Sequence, residues 1–265
     1  LQNRGLAPGE YPERWNVSRR EDVIEIQKTY FDMGSNVIAT NTFGANAFKF
    51  DDAELDAVIR GAVSCAREAQ KRSTAPQEKF VALDVGPLGR LLQPYGDLPF
   101  EKAVETYAKT IAIGADAGVD LILIETMNDS LDTKAALLAA NTCTLPVFVS
   151  NAYGEDGKLM TGACPAAMVA MLEGMGADAI GVNCSLGPKQ LKGIVKDYLA
   201  YASVPVILKP NAGLPRSENG QTVFDVGPEE FAEDMADYLR AGVRIAGGCC
   251  GTTPAHIGAM TERSK

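Results

Sequence analysis

The chain has 265 residues, of which 46% are hydrophobic and 22% are charged, and this composition suits one large α/β domain or two small ones. The formal net charge of −9 argues against nucleic acid as a partner, because such a protein needs a basic surface. No apolar run is long enough to span a bilayer, so we expect no membrane association. The six cysteines are too sparse for a disulfide scaffold, so we expect a cytoplasmic protein whose cysteines bind metal or take part in catalysis.

Apolar runs and amphipathic segments alternate along the whole chain. Ser18, with Glu21 three residues later, predicts a capping box at the start of the first helix, which ends at Gly34. The runs that predict buried parallel strands are 37–40, 80–83, 121–124, 147–149, 179–183, 206–208 and 243–246. The helices predicted after them begin near 53 and span 100–118, 130–140, 165–175, 188–200, 228–241 and the segment from 254. The segment 212–226 is predicted to be a polar loop.

This alternation favours a (β/α)8 TIM-type barrel over an open sheet. The alternative is a doubly wound sheet, but no Gly-rich phosphate loop follows an early strand. The pattern supplies one strand too few for a complete barrel, and we expect the first strand to precede Leu1. We interpret residues 1–265 as a single domain, because the sequence has no linker and no repeat beyond the alternation.

Three cysteines lie at the ends of two predicted strands. Cys184 follows the run 179–183, whereas Cys249 and Cys250 stand between glycines after the last strand. Neighbouring side chains of a straight strand point to opposite faces. Two adjacent cysteines that face the same site therefore need a bend in the backbone, which glycine permits. Three thiols with no fourth soft ligand nearby indicate a zinc site with an open, catalytic position. The alternative is three buried cysteines that act as small apolar residues, as Cys65 and Cys143 do in their predicted helices.

The chemistry of such barrels lies at the C-terminal ends of the strands. The residues at these positions form a polar set: Asn41, Asp84, Glu125, Asn151, Cys184, Lys209, Asn211, Cys249 and Cys250. Glu125 ends an aliphatic run, where a carboxylate is unfavourable unless it is paired, so we interpret it as the partner of a substrate ammonium group. The alternative is a helix cap, and Asp84 allows the same two interpretations. Lys209 is either a Schiff-base lysine or a structural lysine that pairs with a nearby carboxylate, and His256 is interpreted as structural.

Several motifs resemble the homocysteine S-methyltransferase family. They are Thr40-Asn41-Thr42-Phe43-Gly44-Ala45-Asn46, Glu125-Thr126, Asn183-Cys184-Ser185-Leu186-Gly187-Pro188, Pro210-Asn211-Ala212-Gly213 and Gly247-Gly248-Cys249-Cys250-Gly251-Thr252-Thr253-Pro254. Within the family, the chain is most similar to the homocysteine-binding module of cobalamin-dependent methionine synthase. The family pattern begins with a strand and an Asp-Gly-rich loop that helps to hold the substrate carboxylate, and neither is present here.

The resemblance implies roles for individual residues. Zinc is expected on Cys184, Cys249 and Cys250, which are therefore the catalytic residues, and Asn211 matches a residue that fills the fourth position of the metal without substrate. Glu125 is expected to contact the homocysteine amino group. The further residues expected to bind substrate are Asp84, Asn183 and Asn41.

These expectations predict a zinc-dependent methyltransferase in which the homocysteine thiolate accepts a methyl group and becomes methionine. A free thiol is mostly protonated near neutral pH, and coordination to zinc deprotonates it. The sequence lacks the Asp-x-His-x-x-Gly pattern of corrinoid-binding modules, so methylcobalamin is expected on another domain or a corrinoid protein. The alternatives are S-methylmethionine or betaine as donor, a corrinoid methyltransferase with another acceptor, a lysine-dependent aldolase, and a non-catalytic zinc-stabilised binding module.

Overall fold

The structure is a computed structural model that describes residues 1–218 and 221–264. The α-helices are α1 (Trp15–Ser18), α2 (Arg20–Asp32), α3 (Asp52–Arg72), α4 (Phe100–Asp116), α5 (Ser130–Ala140), α6 (Pro165–Gly174), α7 (Lys192–Tyr201), α8 (Pro228–Ala241) and α9 (Pro254–Arg263). The strands are β1 (Val37–Ala39), β2 (Phe80–Val85), β3 (Leu121–Met127), β4 (Val147–Asn151), β5 (Ala179–Asn183), β6 (Val206–Lys209), β7 (Arg216–Glu218), β8 (Gln221–Val223) and β9 (Ile245–Ala246). None of the helices in this described part combines the length and apolarity that crossing a membrane requires.

The first of two compact units comprises Leu1–Ile124 and Leu131–Val147. In this unit β1 pairs in parallel with β2, and β2 pairs in parallel with the first part of β3. Helix α3 begins where the Asp51 side chain accepts hydrogen bonds from two backbone N–H groups of the first turn. The apolar face of α3 is buried, because its aliphatic residues recur at helical spacing.

The second unit comprises Glu125–Ser130 and Phe148–Lys265. Here β4, β5, β6 and β9 pair in parallel in that order. All residues of β5 are buried, which explains why this strand is a continuous apolar run up to Asn183. Gly181 permits the close approach of β5 and β6, since a Cβ atom there would lie 2.0 Å from the carbonyl oxygen of Ile207.

The order of the parallel strands confirms the predicted fold class. Seven strands follow one another as β1-β2-β3-β4-β5-β6-β9 among the described residues, and helices alternate with them. This is the topology of a (β/α)8 TIM-type barrel with seven of its strands present. The single-domain organisation and the eighth strand stay predictions.

The start of the first helix differs from the prediction. Ser18 ends the short helix α1, and its hydroxyl donates a hydrogen bond to the carbonyl oxygen of Arg14 at 3.0 Å. The predicted capping box with Glu21 is therefore wrong, and α2 begins at Arg20. The physical reason is that the preceding segment is itself helical, so the serine hydroxyl bonds back to the carbonyl four residues earlier.

Other local features also differ from the predictions. Cys65 lies in α3 as expected, whereas Cys143 lies in the turn after α5. The segment 188–191 forms turns, and α7 begins only at Lys192. The predicted polar loop 212–226 contains the antiparallel pair β7 and β8, whose three-residue strands are too short to give a recognisable alternation of apolar and polar residues.

Candidate active site

Three thiols of the second unit converge. The Sγ atoms of Cys184, Cys249 and Cys250 all lie within 4.8 Å of one another, and those of Cys184 and Cys250 are 3.7 Å apart. All three cysteines are free of disulfides. Tetrahedral zinc with Zn–S bonds of about 2.3 Å places its sulfur ligands about 3.8 Å apart. The cluster therefore has the chemistry and the spacing that a zinc ion requires.

The turn after β6 holds the two cysteine-bearing segments together. Backbone carbonyls of Lys209–Ala212 accept hydrogen bonds from the amides of Cys184 at 3.0 Å and Cys249 at 2.8 Å. The backbone N–H of Ala212 donates a hydrogen bond to the carbonyl oxygen of Cys250 at 2.9 Å. Because main-chain bonds fix both segments, the three thiols are brought together by the protein itself.

Asn211 lies within this turn and contacts the Cys250 segment. Its Oδ1 atom accepts a hydrogen bond from the backbone N–H of Cys250 at 3.1 Å. This contact orients the second cysteine of the adjacent pair. The predicted role of Asn211 as a metal ligand stays a prediction.

The backbone around the thiols adopts conformations that most residues avoid. Cys184 and Ser185 have φ values of 60° and 57°, in the left-handed region. Gly251 has φ 79°, and a Cβ atom there would lie 2.3 Å from the ring of Phe224. Strained conformations of this kind persist where the surrounding contacts impose them, and they concentrate at functional sites.

The three thiols compete for negative charge. Hydrogen bonds from Cys249 and Cys250 lower the pKa of the Cys184 thiol. Hydrogen bonding to Cys184 in turn raises the pKa of Cys249 and of Cys250. Without a metal ion, the arrangement thus favours the thiolate form of Cys184 and disfavours that of Cys249 and Cys250. A bound divalent cation would favour the thiolate form of all three.

An ion pair lies beside the thiol cluster. The Nζ atom of Lys209 contacts Oε2 of Glu125, and the two side chains are 17% and 14% exposed. The pairing predicted as one alternative for Lys209 is therefore observed. The Nζ atom is thus engaged with a carboxylate, which supports the structural alternative for Lys209 over the Schiff-base alternative.

The amide of Asn183 connects this ion pair to the thiols. Its Nδ2 atom lies 3.4 Å from Oε2 of Glu125 and 3.9 Å from Sγ of Cys249. The structure thus brings together six of the predicted site residues at the ends of the strands, with Lys209 beside them. The six are Glu125, Asn183, Cys184, Asn211, Cys249 and Cys250.

Two further residues of this site have no predicted role. Ser150 of β4 donates from its hydroxyl to Oδ1 of Asn183 at 2.7 Å. The backbone N–H of Thr126 donates to the same oxygen at 2.8 Å, and Nδ2 of Asn183 donates to Oγ1 of Thr126 at 2.8 Å. Thr126 has φ 61°, an unusual value for a β-branched residue. The only sequence signals are a serine within an apolar strand and a threonine next to Glu125.

Asn41 and Asp84 belong to the first unit. The Nδ2 atom of Asn41 donates to the carbonyl of Pro12 at 2.8 Å and to Oδ1 of Asn16 at 2.9 Å. Asp84 is buried in β2, with its backbone N–H bonded to the hydroxyl of Thr40 at 3.1 Å. The substrate-binding roles of Asn41 and Asp84 stay predictions.

The structural interpretation of His256 is confirmed. It is buried in the first turn of α9 and forms a capping box with Thr253. Its Nε2 atom lies 2.9 Å from the carbonyl oxygen of Val226. These contacts occupy both ring nitrogens, so the histidine fixes the start of the helix.

A cleft of about 620 Å³ lies in the second unit, next to the chain segment that follows Cys184. Its walls include Ser185, Leu186, Asn128 and loop residues between Ala152 and Met160. The loop contributes charged side chains, whereas Leu186, Leu214 and Pro215 contribute apolar surface. A cleft of this size is typical of sites for small molecules.

The fold and the thiol cluster define a parallel β/α-barrel protein with three converging cysteines. The family model described as homocysteine S-methyltransferase matches residues 3–264. The chain belongs to the homocysteine S-methyltransferase family.

Curated relatives agree with this assignment, and a solved structure agrees with the fold. The chain is 33% identical to a methionine synthase of Mycobacterium leprae and 32% identical to a methionine synthase of Mycobacterium tuberculosis, in each case over 90% of its length. It spans about a fifth of the length of these relatives. The metallated form of the homocysteine methyltransferase MmuM from Escherichia coli has a TM-score of 0.83 and 23% identity, covering 99% of this chain and 92% of that chain. At this identity the likeness supports the fold.

Proposed function

We propose that the chain is the homocysteine-binding part of a zinc-dependent methyltransferase that forms methionine. The convergence of Cys184, Cys249 and Cys250 at one strand-end site carries this proposal. Membership in the homocysteine S-methyltransferase family supports homocysteine as the methyl acceptor. We also propose that residues 1–265 act as one domain, in a cytoplasm that keeps the cysteines reduced.

The three cysteines prepare the site for a thiol substrate. Bound zinc would supply a deprotonated, nucleophilic substrate sulfur at neutral pH. Three cysteine thiolates against one divalent ion leave a net charge of about −1, which keeps electron density on the incoming sulfur. Asn183 and the turn after β6 hold the ligands in place, and the carboxylate of Glu125 provides a partner for the substrate ammonium group.

The proposed methyl donor is methylcobalamin carried by a corrinoid protein or another domain. A quaternary ammonium donor such as betaine favours an aromatic cage, and aromatic residues make up only 7% of this chain. The relatives named methionine synthase are about five times longer than this chain, which leaves room in them for further domains. The alternative donors are S-methylmethionine and betaine.

The experiment supplies zinc-loaded protein with homocysteine and, in turn, methylcobalamin, S-methylmethionine or betaine at equal concentration, and measures methionine. We expect methionine from methylcobalamin and none from betaine. The Cys249→Ala variant sets the background, and Cys164→Ala is the matched control because Cys164 is exposed and lies outside the cluster. Faster formation of methionine from betaine than from methylcobalamin would overturn the donor assignment.

A further inference from the structure

The Glu125–Lys209 ion pair lies where the head group of a thiol substrate would be. The carboxylate of Glu125 is connected to the Cys249 thiol through a single amide group, that of Asn183. In homocysteine, two methylene groups separate the sulfur from the carbon that carries the ammonium and carboxylate groups. A substrate whose sulfur lies at the thiol cluster therefore presents both charges near the ion pair.

The lysine stem is held in a defined position. A Cβ atom at Gly247 would lie 3.2 Å from Cγ and 3.4 Å from Cδ of Lys209. The methylene groups of the lysine side chain therefore pack closely against the backbone of this glycine. The backbone carbonyl of Lys209 meanwhile accepts the hydrogen bond from the amide of Cys184. The main chain of Lys209 thus supports the thiol cluster, whereas its side chain extends to Glu125.

The two charges of the pair are incompletely buried and complementary to a zwitterion. Both side chains retain some solvent exposure, so a small ligand can reach them. An α-amino acid brings one ammonium and one carboxylate on the same carbon, and these match one carboxylate and one ammonium of the protein. A ligand with only one of these charges leaves half of the pair without a new partner.

We propose that Lys209 and Glu125 together recognise the α-amino acid head group of the substrate, with the substrate carboxylate on Nζ of Lys209 and its ammonium group on Glu125. This inference rests on the proposed function and assigns to Lys209 a carboxylate-binding role. It makes Lys209 the residue that distinguishes an amino acid thiol from a simple amine thiol.

The test is calorimetric titration of the zinc-loaded protein with three thiols. L-Homocysteine carries both charges, 4-sulfanylbutanoate carries only the carboxylate, and 3-sulfanylpropan-1-amine carries only the ammonium group. The variants are Lys209→Met, which keeps a flexible apolar stem, and Lys209→Arg, which restores a cation. The control is Lys189→Met, because Lys189 forms an exposed ion pair with Glu230.

We expect Lys209→Met to weaken the binding of homocysteine and of 4-sulfanylbutanoate by about tenfold or more, as the loss of a charge-assisted hydrogen bond predicts. Binding of 3-sulfanylpropan-1-amine should not weaken, because Glu125 loses its competing partner. Lys209→Arg should recover much of the homocysteine affinity, and Lys189→Met should match the wild type. Zinc content should stay constant, because the main-chain hydrogen bonds that hold the cysteine segments are kept in these variants.

An equal loss of affinity for all three thiols in Lys209→Met would overturn the inference and make the ion pair structural. Equal affinity of the wild type for homocysteine and 3-sulfanylpropan-1-amine would also overturn it, while leaving the zinc–thiolate proposal in place. Failure of the wild type to bind any thiol would instead overturn the proposed function, and the inference with it. If Lys209→Met does not fold, Lys209→Gln makes the same comparison with a polar, uncharged side chain.

Discussion

The hydroxyl of Ser150 donates a hydrogen bond of 2.7 Å to Oδ1 of Asn183, and both side chains are fully buried. The same oxygen accepts the backbone N–H of Thr126 at 2.8 Å. A rotated amide would point its NH2 group at the Thr126 N–H, which can only donate, so this contact fixes Nδ2 towards Glu125 and Cys249. The serine in the adjacent strand adds a second hydrogen bond that holds this amide in place.

Ser150→Ala should lower the free energy of unfolding by about 1 kcal/mol, because one buried hydrogen bond is lost. It should also weaken homocysteine binding, since the Asn183 amide is then held on one side only. Urea denaturation and calorimetric titration measure the two effects. The matched control is Ser217→Ala on the exposed strand β7, where we expect no change in either quantity. Unchanged homocysteine affinity in a destabilised Ser150→Ala protein would contradict the orienting role.

Glu125→Gln should reduce the affinity for homocysteine while zinc content stays at the wild-type level. The variant keeps the shape of the side chain but removes the charge that attracts an ammonium group. The loss of one charge-assisted hydrogen bond corresponds to about 1.5–3 kcal/mol of binding free energy. Glu101→Gln, at an exposed position in the first turn of α4, is the control. Loss of zinc with retained homocysteine affinity would reverse the assignment of Glu125.

Cys249→Ala should abolish stoichiometric zinc binding, whereas Cys164→Ala should retain one zinc per chain. The reason is that Cys249 belongs to the three-thiol cluster and Cys164 does not. Metal analysis after dialysis against a mild chelator measures the difference. A disulfide between Cys249 and Cys250 in reduced, zinc-supplemented protein would count against a metal site at this position.

Gly251→Ala should destabilise the protein by about 1–3 kcal/mol, because φ 79° is strained for alanine and its Cβ would overlap the ring of Phe224. The variant should also bind zinc more weakly, since the turn that presents Cys250 is displaced. Gly193→Ala in α7 is the matched control, because no atom lies within 4 Å of a Cβ atom there. This control should be neutral or stabilising by up to about 1 kcal/mol. Equal stability of the two variants would show that the turn tolerates another conformation.

The convergence of the thiols could be predicted because Cys184 and Cys249 each follow an apolar run, and the ends of parallel strands lie at one edge of a sheet. The Ser150–Asn183 bond could not, since a serine within a strand has no pattern that identifies its partner. The partner of Lys209 was undetermined for a related reason. Its sequence position fixes the end of one strand, whereas the contact with Glu125 depends on side-chain directions across the sheet. At Ser18 the sequence carries a local capping signal, but the preceding residues are helical and Ser18 ends their helix instead of capping the next one.

The turn after β6 connects cysteines that lie 66 positions apart in the sequence, and this separation has a consequence for biosynthesis. The ribosome makes Cys184 first, together with the strand that positions it. Cys249 and Cys250 follow only after β6, its turn and α8 have been made. The three thiols are therefore present together only once the last strand has been made, so a metal ion that needs all three can bind only after that point.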